Sequence, residues 1–222
     1  MNHASRSLFA LESLEKRELL SFQTFTSPTP SRDLKGEALG TDGSLYFAEV
    51  DNRQIGRILP SKRVVEYAVP ESSFGVIGAL LAARDGSIYF TSVNASVIGR
   101  LTTRGRLTAI ATNGQVLAIG AATDGSIWFY TLSDGFSRIT TRGVMTNFGN
   151  GDPSRYVAKI IAGPSGSIYY AAVSKTADPA HTTRYLFSVH QVTIVEGQPQ
   201  DDTLFSGNTN FTFDNVAPYL LT

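Results

Sequence analysis

The 222 residues contain no cysteine. That excludes disulfides, thiolate metal sites and cysteine nucleophiles. The redox compartment stays open, because exported proteins also do without cysteine. Histidine is scarce, with three residues, His3, His181 and His190. Charged residues make up 17%, and 19 basic residues cancel 19 acidic ones. A neutral chain has no excess charge to steer it onto nucleic-acid phosphates or an anionic membrane, so nucleic acid is not an expected partner. No apolar run approaches the roughly 20 residues of a membrane-spanning helix. A phosphate-binding Gly-x-x-x-x-Gly-Lys-Ser loop, a His-Glu-x-x-His pair and a Gly-x-Ser-x-Gly elbow are all missing.

What is present is repetition. Asp42-Gly43-Ser44-Leu45-Tyr46-Phe47 returns as Asp85-Gly86-Ser87-Ile88-Tyr89-Phe90, as Asp124-Gly125-Ser126-Ile127-Trp128-Phe129 and as Ser165-Gly166-Ser167-Ile168-Tyr169-Tyr170. The copies stand about 40 residues apart, the period of a propeller blade. Asp-Gly tolerates the positive φ of a tight hairpin, and the β-branched and aromatic residues after it read as a strand. Small apolar residues precede each turn, as in Ala118-Ile119-Gly120-Ala121-Ala122, and suit a strand crowded against a central axis. Ile55-Gly56-Arg57-Ile58, Ile98-Gly99-Arg100-Leu101 and Phe136-Ser137-Arg138-Ile139 supply a third strand, and Val64–Tyr67, Leu107–Ile110 and Val144–Phe148 a fourth. The expectation is an all-β propeller of four-stranded blades, anchored near residues 42, 85, 124 and 165.

The fourth copy is interrupted by an insertion, Val173 to Thr183, which carries His181 and reads as a surface loop. The tail 197–222 lacks the anchor, so a degenerate fifth blade and membership of a larger ring are both open. Leu8, Leu11, Leu14 and Leu19 recur at helical spacing, which predicts a short helix within an N-terminal segment 1–21, ahead of a propeller domain 22–222. Phe22–Phe25 reads as a strand able to close the ring against the C-terminal tail. An open ring would leave edges that invite self-association.

The repeat resembles that of the streptogramin lyase (virginiamycin B lyase) family of β-propellers. The motif there is close to Gly-Pro-Asp-Gly-Asn-Leu-Trp-Phe-Thr-Glu, then Ile-Gly-Arg-Ile; the best matches here are Thr41–Glu49 with Ile55–Ile58, and Gly163–Tyr170. The resemblance implies a magnesium-dependent elimination that opens a cyclic depsipeptide, with histidines and a glutamate around the ion. The three histidines do not fall at the strand ends where the motif would place them, so no catalytic residue is carried over. Glu49 matches the motif's glutamate; it and His181 are the binding candidates, and the metal ligands are unknown. Glu49 has no counterpart in the other copies, where Ser92, Thr131 and Ala172 stand, and a strand-end carboxylate is more often a solvated rim residue. Arg57, Arg100 and Arg138 recur in three copies, which points to structure, with bridging to a neighbouring blade as the expectation. The expected role is a non-catalytic propeller scaffold that binds an unidentified small molecule or protein without a cofactor. The alternatives are a magnesium-dependent lyase and an incomplete pseudo-enzyme. Leu11–Ser21 is also similar to a segment near the start of many exported planctomycete proteins, which implies an extracellular or cell-surface location.

Overall fold

The computed structural model describes residues 24–31, 33–149, 151–176 and 184–209. The N-terminal helix, the Phe22–Gln23 part of the closing strand, His181 and the tail beyond residue 209 lie outside the described residues.

Among the described residues sixteen strands form four antiparallel sheets, each in simple sequence order. Blade 1 holds β1 (Leu34–Leu39), β2 (Leu45–Glu49), β3 (Gln54–Ile58) and β4 (Val64–Ala68). Blade 2 holds β5 (Ile77–Ala82), β6 (Ile88–Ser92), β7 (Val97–Leu101) and β8 (Leu107–Ala111). Blade 3 holds β9 (Val116–Ala121), β10 (Ile127–Thr131), β11 (Gly135–Ile139) and β12 (Met145–Asn147). Blade 4 holds β13 (Arg155–Ala162), β14 (Ile168–Thr176), β15 (Arg184–Val195) and β16 (Gln198–Thr209). The innermost strands β1, β5, β9 and β13 neighbour one another in succession, as blades around an axis must. One helical turn, α1 (Glu71–Phe74), links blades 1 and 2 and packs Phe74 on Phe90.

Blade 4 differs from the expectation in two ways. Val173–Thr176 continue β14 rather than belonging to a loop. Thr203–Phe205 lie in β16, so the first part of the tail is the outer strand of blade 4 and not a fifth blade. The reason is the Glu196-Gly197 turn, whose residues adopt φ 52° and 80° and fold the chain back into a long hairpin. Thr24 and Phe25 are not in a strand. Residues 24–31 instead lie against blade 1.

The repeated motif is a clamp at the lower rim. In blade 2, Asp85 accepts from the Ser87 amide at 2.9 Å and pairs with Arg100 at 2.7 Å, while Arg100 Nε donates to Ser87 Oγ at 3.1 Å. Blade 1 repeats this with Asp42, Ser44 and Arg57. In blade 3 Asp124 holds the Ser126 amide and Arg138, but Arg138 Nε makes no bond to Ser126. Each arginine also lies over the aromatic ring opposite it, Tyr46, Tyr89 or Trp128. The arginines therefore serve chiefly their own blade, and the expected bridge to a neighbour survives at Arg57, which donates to the Thr103 carbonyl at 3.2 Å. The glycine before the arginine has an equally local cause: a β-carbon at Gly56 or Gly99 would overlap the ring of Phe47 or Phe90.

Three core clusters fill the three joints. Tyr46 and Ile55 of blade 1 meet Ile88, Phe90 and Leu101 of blade 2. Tyr89 and Ile98 of blade 2 meet Ile127, Phe129 and Ile139 of blade 3. Trp128, Tyr130 and Phe136 of blade 3 meet Ile168, Tyr170 and Val192 of blade 4. One face of each of blades 2, 3 and 4 thus receives the opposite face of the blade before it. Among the described residues, no core cluster joins blade 4 to blade 1.

Candidate functional site

The strand order puts the Asp-Gly-Ser hairpins at the lower rim and the β2–β3, β6–β7, β10–β11 and β14–β15 connections at the upper rim. At that upper rim, where β5, β9 and β13 begin, an axial cleft of about 490 Å³ opens between blades 2, 3 and 4. That size suits a drug-sized ligand. Its walls combine apolar side chains, including Val93, Leu117, Leu132 and Tyr156, with the polar groups of Thr91, Ser92, Gln115, Ser154 and Arg155. Val93 and Leu132 are among the large apolar side chains left exposed. Among the described residues the lining contains no carboxylate and no imidazole.

Arg155 connects this cleft to the place where the repeat breaks. Strand pairing aligns Gly56, Gly99 and Ser137 with His190, and Arg57, Arg100 and Arg138 with Gln191. The Ile-Gly-Arg pattern has become Val189-His190-Gln191. His190 stacks on Tyr170, with centroids 4.5 Å apart and planes within 6°. Its Nδ1 lies 3.0 Å from Asp201 Oδ1, and its Nε2 lies 2.7 Å from Ser188 Oγ. The Tyr170 hydroxyl donates to Asp201 Oδ2 at 2.6 Å, and Arg155 donates to the Tyr170 oxygen at 2.9 Å and to Asp201 at 3.3 Å. Burial outweighs the pull of Asp201 and holds the His190 pKa below its ordinary value, so the ring is neutral near pH 7.

A serine, a neutral histidine and a carboxylate in this order have the connectivity of a nucleophilic triad. Both Ser188 and His190 are buried, however, at 4% and 6% exposure, on the face of blade 4 that packs against blade 3. The network therefore does structural work and fixes Arg155 at the cleft wall, while at the clamp position Gln191 Nε2 donates to Ser167 Oγ at 3.4 Å in place of the Asp–Arg pair. Sequence reasoning passed over His190; its signal was the loss of Gly-Arg at that one copy.

Glu49 is not the solvated rim residue expected of it. It is fully buried, at 0% exposure, beneath residues 24–31. Ser27 Oγ lies 2.5 Å from Glu49 Oε1 and 2.7 Å from Glu66 Oε1, and Thr29 donates to both Glu66 oxygens at 2.8 Å. One hydroxyl carries one proton, so it cannot donate to two carboxylates at once. Desolvation raises the Glu49 pKa, helped by the nearby Glu66 charge. The bonds from Ser27 and Thr29 overcome desolvation to lower that of Glu66. The consistent assignment has Glu49 protonated and donating to Ser27, and Ser27 donating to ionised Glu66. The structure brings Glu49 near neither the axial cleft nor His190.

The resemblance implies histidines and a glutamate around a magnesium ion, and the described residues do not bring His190 and Glu49 together. Among the described residues no group of three or more His, Asp or Glu side chains could hold a metal ion. Also among them, no helix is long and apolar enough to cross a membrane.

Four radial four-stranded sheets with a cleft at the axis define a β-propeller. The virginiamycin B lyase family model matches residues 20–204, and the chain belongs to that family. Among solved structures, it is similar to a catalytically inactive virginiamycin B lyase from Staphylococcus aureus with quinupristin. That match has 24% identity and a TM-score of 0.62, and covers 80% of this chain and 57% of that one. A streptogramin B lyase is 19% identical with a TM-score of 0.59, over 80% of this chain and 70% of that one. A gluconolactonase from Xanthomonas campestris is 16% identical with a TM-score of 0.54, over 77% and 61%. The chain thus spans little more than half the length of the staphylococcal enzyme. At these identities the likeness speaks to the fold. No curated protein matches the chain in sequence.

Proposed function

We propose that this chain is a non-catalytic, ligand-binding member of its family, which holds a small molecule or peptide in the axial cleft with Arg155 as the polar anchor. The observation that carries this reading is the lining of the cleft. Among the described residues it offers apolar walls, hydroxyls, an amide and a guanidinium, and none of the carboxylate or imidazole groups that could take a proton at neutral pH. A guanidinium flanked by hydroxyls favours a ligand with carboxylate or carbonyl oxygens on an apolar body. The N-terminal resemblance supports an exported or cell-surface setting for that binding.

The second reading, a magnesium-dependent lyase, is favoured by family membership. Incubation with quinupristin and magnesium, followed by mass spectrometry, separates the two. The expected outcome is an intact macrocycle. Time-dependent linearisation, lost in His190→Ala or Glu49→Ala, would overturn the non-catalytic reading. Ligand-observed NMR with the same compound tests the binding part: saturation transfer should appear with the native chain and weaken in Arg155→Ala.

A further inference from the structure

Large apolar side chains are exposed in few places, and most of them lie at the two ends of the blade series. Leu34, Leu39 and Leu45 are 61%, 69% and 39% exposed on the leading face of blade 1. Their strand pairings, Leu34 with Glu49 and Leu39 with Leu45, put them on one face with Phe47. A groove of about 570 Å³ runs along that face, floored by Leu45, Phe47, Ile58 and Val64 and walled on one side by Phe25, Thr26, Ser27 and Pro30 of the segment over Glu49. At the other end, Ile161, Val195 and Phe205 are 51%, 45% and 58% exposed on the trailing face of blade 4. Pairing of Ile161 with Tyr169 and of Val189 with Phe205 makes that face continuous.

These two faces are not arbitrary patches. Leu45 and Phe47 occupy the repeat positions of Ile88 and Phe90, and of Ile127 and Phe129, which are buried to 2% or less by the preceding blade. Ile161 and Tyr169 occupy the positions of Leu81 and Tyr89, which pack on the following blade. Each end therefore presents one half of the joint that recurs three times inside the chain. Residues 24–31 cover the Glu49 end of the leading face of blade 1 and leave Leu34, Leu39 and Leu45 exposed. The surface that fits this remainder is a trailing blade face, and among the described residues no core cluster covers that of blade 4.

We propose that a second copy of this chain binds head to tail, with the trailing face of blade 4 in one copy against the leading face of blade 1 in the other. Continuity with the internal joints carries the choice of occupant. At the blade 2–3 joint, Leu81 and Ala121 share one core; by the same positions Ile161 of one copy meets Leu39 of the other. Two copies supply eight blades, within the four to eight with which propellers close. In the closed pair a two-fold axis relates the two joints, and each copy uses two different surfaces.

Size-exclusion chromatography with light scattering on the full chain tests this. The native protein should run as a dimer, twice its 23.9 kDa. Leu45→Arg and Phe205→Arg each spoil one face and should each be monomeric. Mixed in equal amounts, they retain one good joint between them and should recover the dimer. A native monomer at about 100 µM, where contacts worth roughly 5.5 kcal/mol would already show, would overturn the proposal; in that case a segment of the same chain covers the faces. Association that survives both single variants, or fails to return on mixing, would overturn the head-to-tail arrangement. Should the arginine variants not fold, Leu39→Cys with Ile161→Cys in this cysteine-free chain should give intermolecular disulfides on oxidation, and their absence would refute the joint.

Discussion

At the scale of single residues, the recurring motif reports packing rather than chemistry. Gly99 is glycine because the Phe90 ring covers the place a β-carbon would take. Gly99→Ala should destabilise the fold by about 1–3 kcal/mol, the usual range for overpacking, read as a lower urea midpoint at unchanged slope. Ser137 fills the matching place in blade 3, which shows that the ring can shift aside for a small side chain and sets the lower end of that range. Ser27 is the residue on which two carboxylates depend. Ser27→Ala removes the partner of buried Glu49 and one of the partners of Glu66. Leaving a buried polar group unsatisfied costs about 1–3 kcal/mol, so chemical denaturation should show a loss of that order, while Ser27→Thr, which keeps the hydroxyl, should recover most of it.

At the scale of elements, blade 4 is the exception that holds the chemistry. Its strands β15 and β16 run twelve residues each, against five or six in the first two blades, and it alone carries an imidazole–carboxylate–phenol network. This gives it a pH signature. The folded pKa of His190 is depressed by burial, so the unfolded chain binds a proton that the folded chain refuses. The contribution to stability is present above the unfolded value near 6.5 and is lost as pH falls through that value toward the folded one. Glu49 has the opposite sign: its folded pKa is raised, so its contribution is present below its unfolded value of 4.5 and fades as pH rises through the folded one. Thermal melts of His190→Asn should therefore lose the part of the decline expected in the native protein as the pH falls below about 6.5. A native-like decline in that variant would assign the pH dependence elsewhere.

At the scale of the whole molecule, stability is a sum over neighbouring blades. Each core cluster involves two adjacent blades and no third. Substitutions in different joints should then be independent. Ile55→Val and Ile168→Val, at fully buried sites in the first and third joints, should each cost about 0.5–1.5 kcal/mol and add within about 0.5 kcal/mol. Ile98→Val and Ile127→Val lie in the same cluster and should depart from additivity. Equilibrium denaturation of the two double-mutant cycles decides. Additivity lost across separate joints would show a cooperative unit larger than a blade pair.

The blades, their strands and their hairpins were legible in the chain itself. Asp-Gly turns, alternating aromatics and a 40-residue period are local patterns, and local patterns act through backbone geometry and side-chain alternation alone. The end of blade 4 was not legible, because a Glu-Gly turn is a weak hairpin signal and the Asp-Gly-Ser anchor does not precede β16. Which side chains form a site depended on contacts between residues far apart in sequence. His190 gained its meaning from Tyr170, Asp201 and Arg155, and Glu49 changed from rim carboxylate to buried acid because residues 24–31 fold over it. Sequence alone determined the repeating unit, since each blade is built by its own neighbours along the chain. Only the tertiary structure decided what lies between blades and what remains uncovered, since burial is set by the surface that arrives from another blade and no local pattern encodes that arrival.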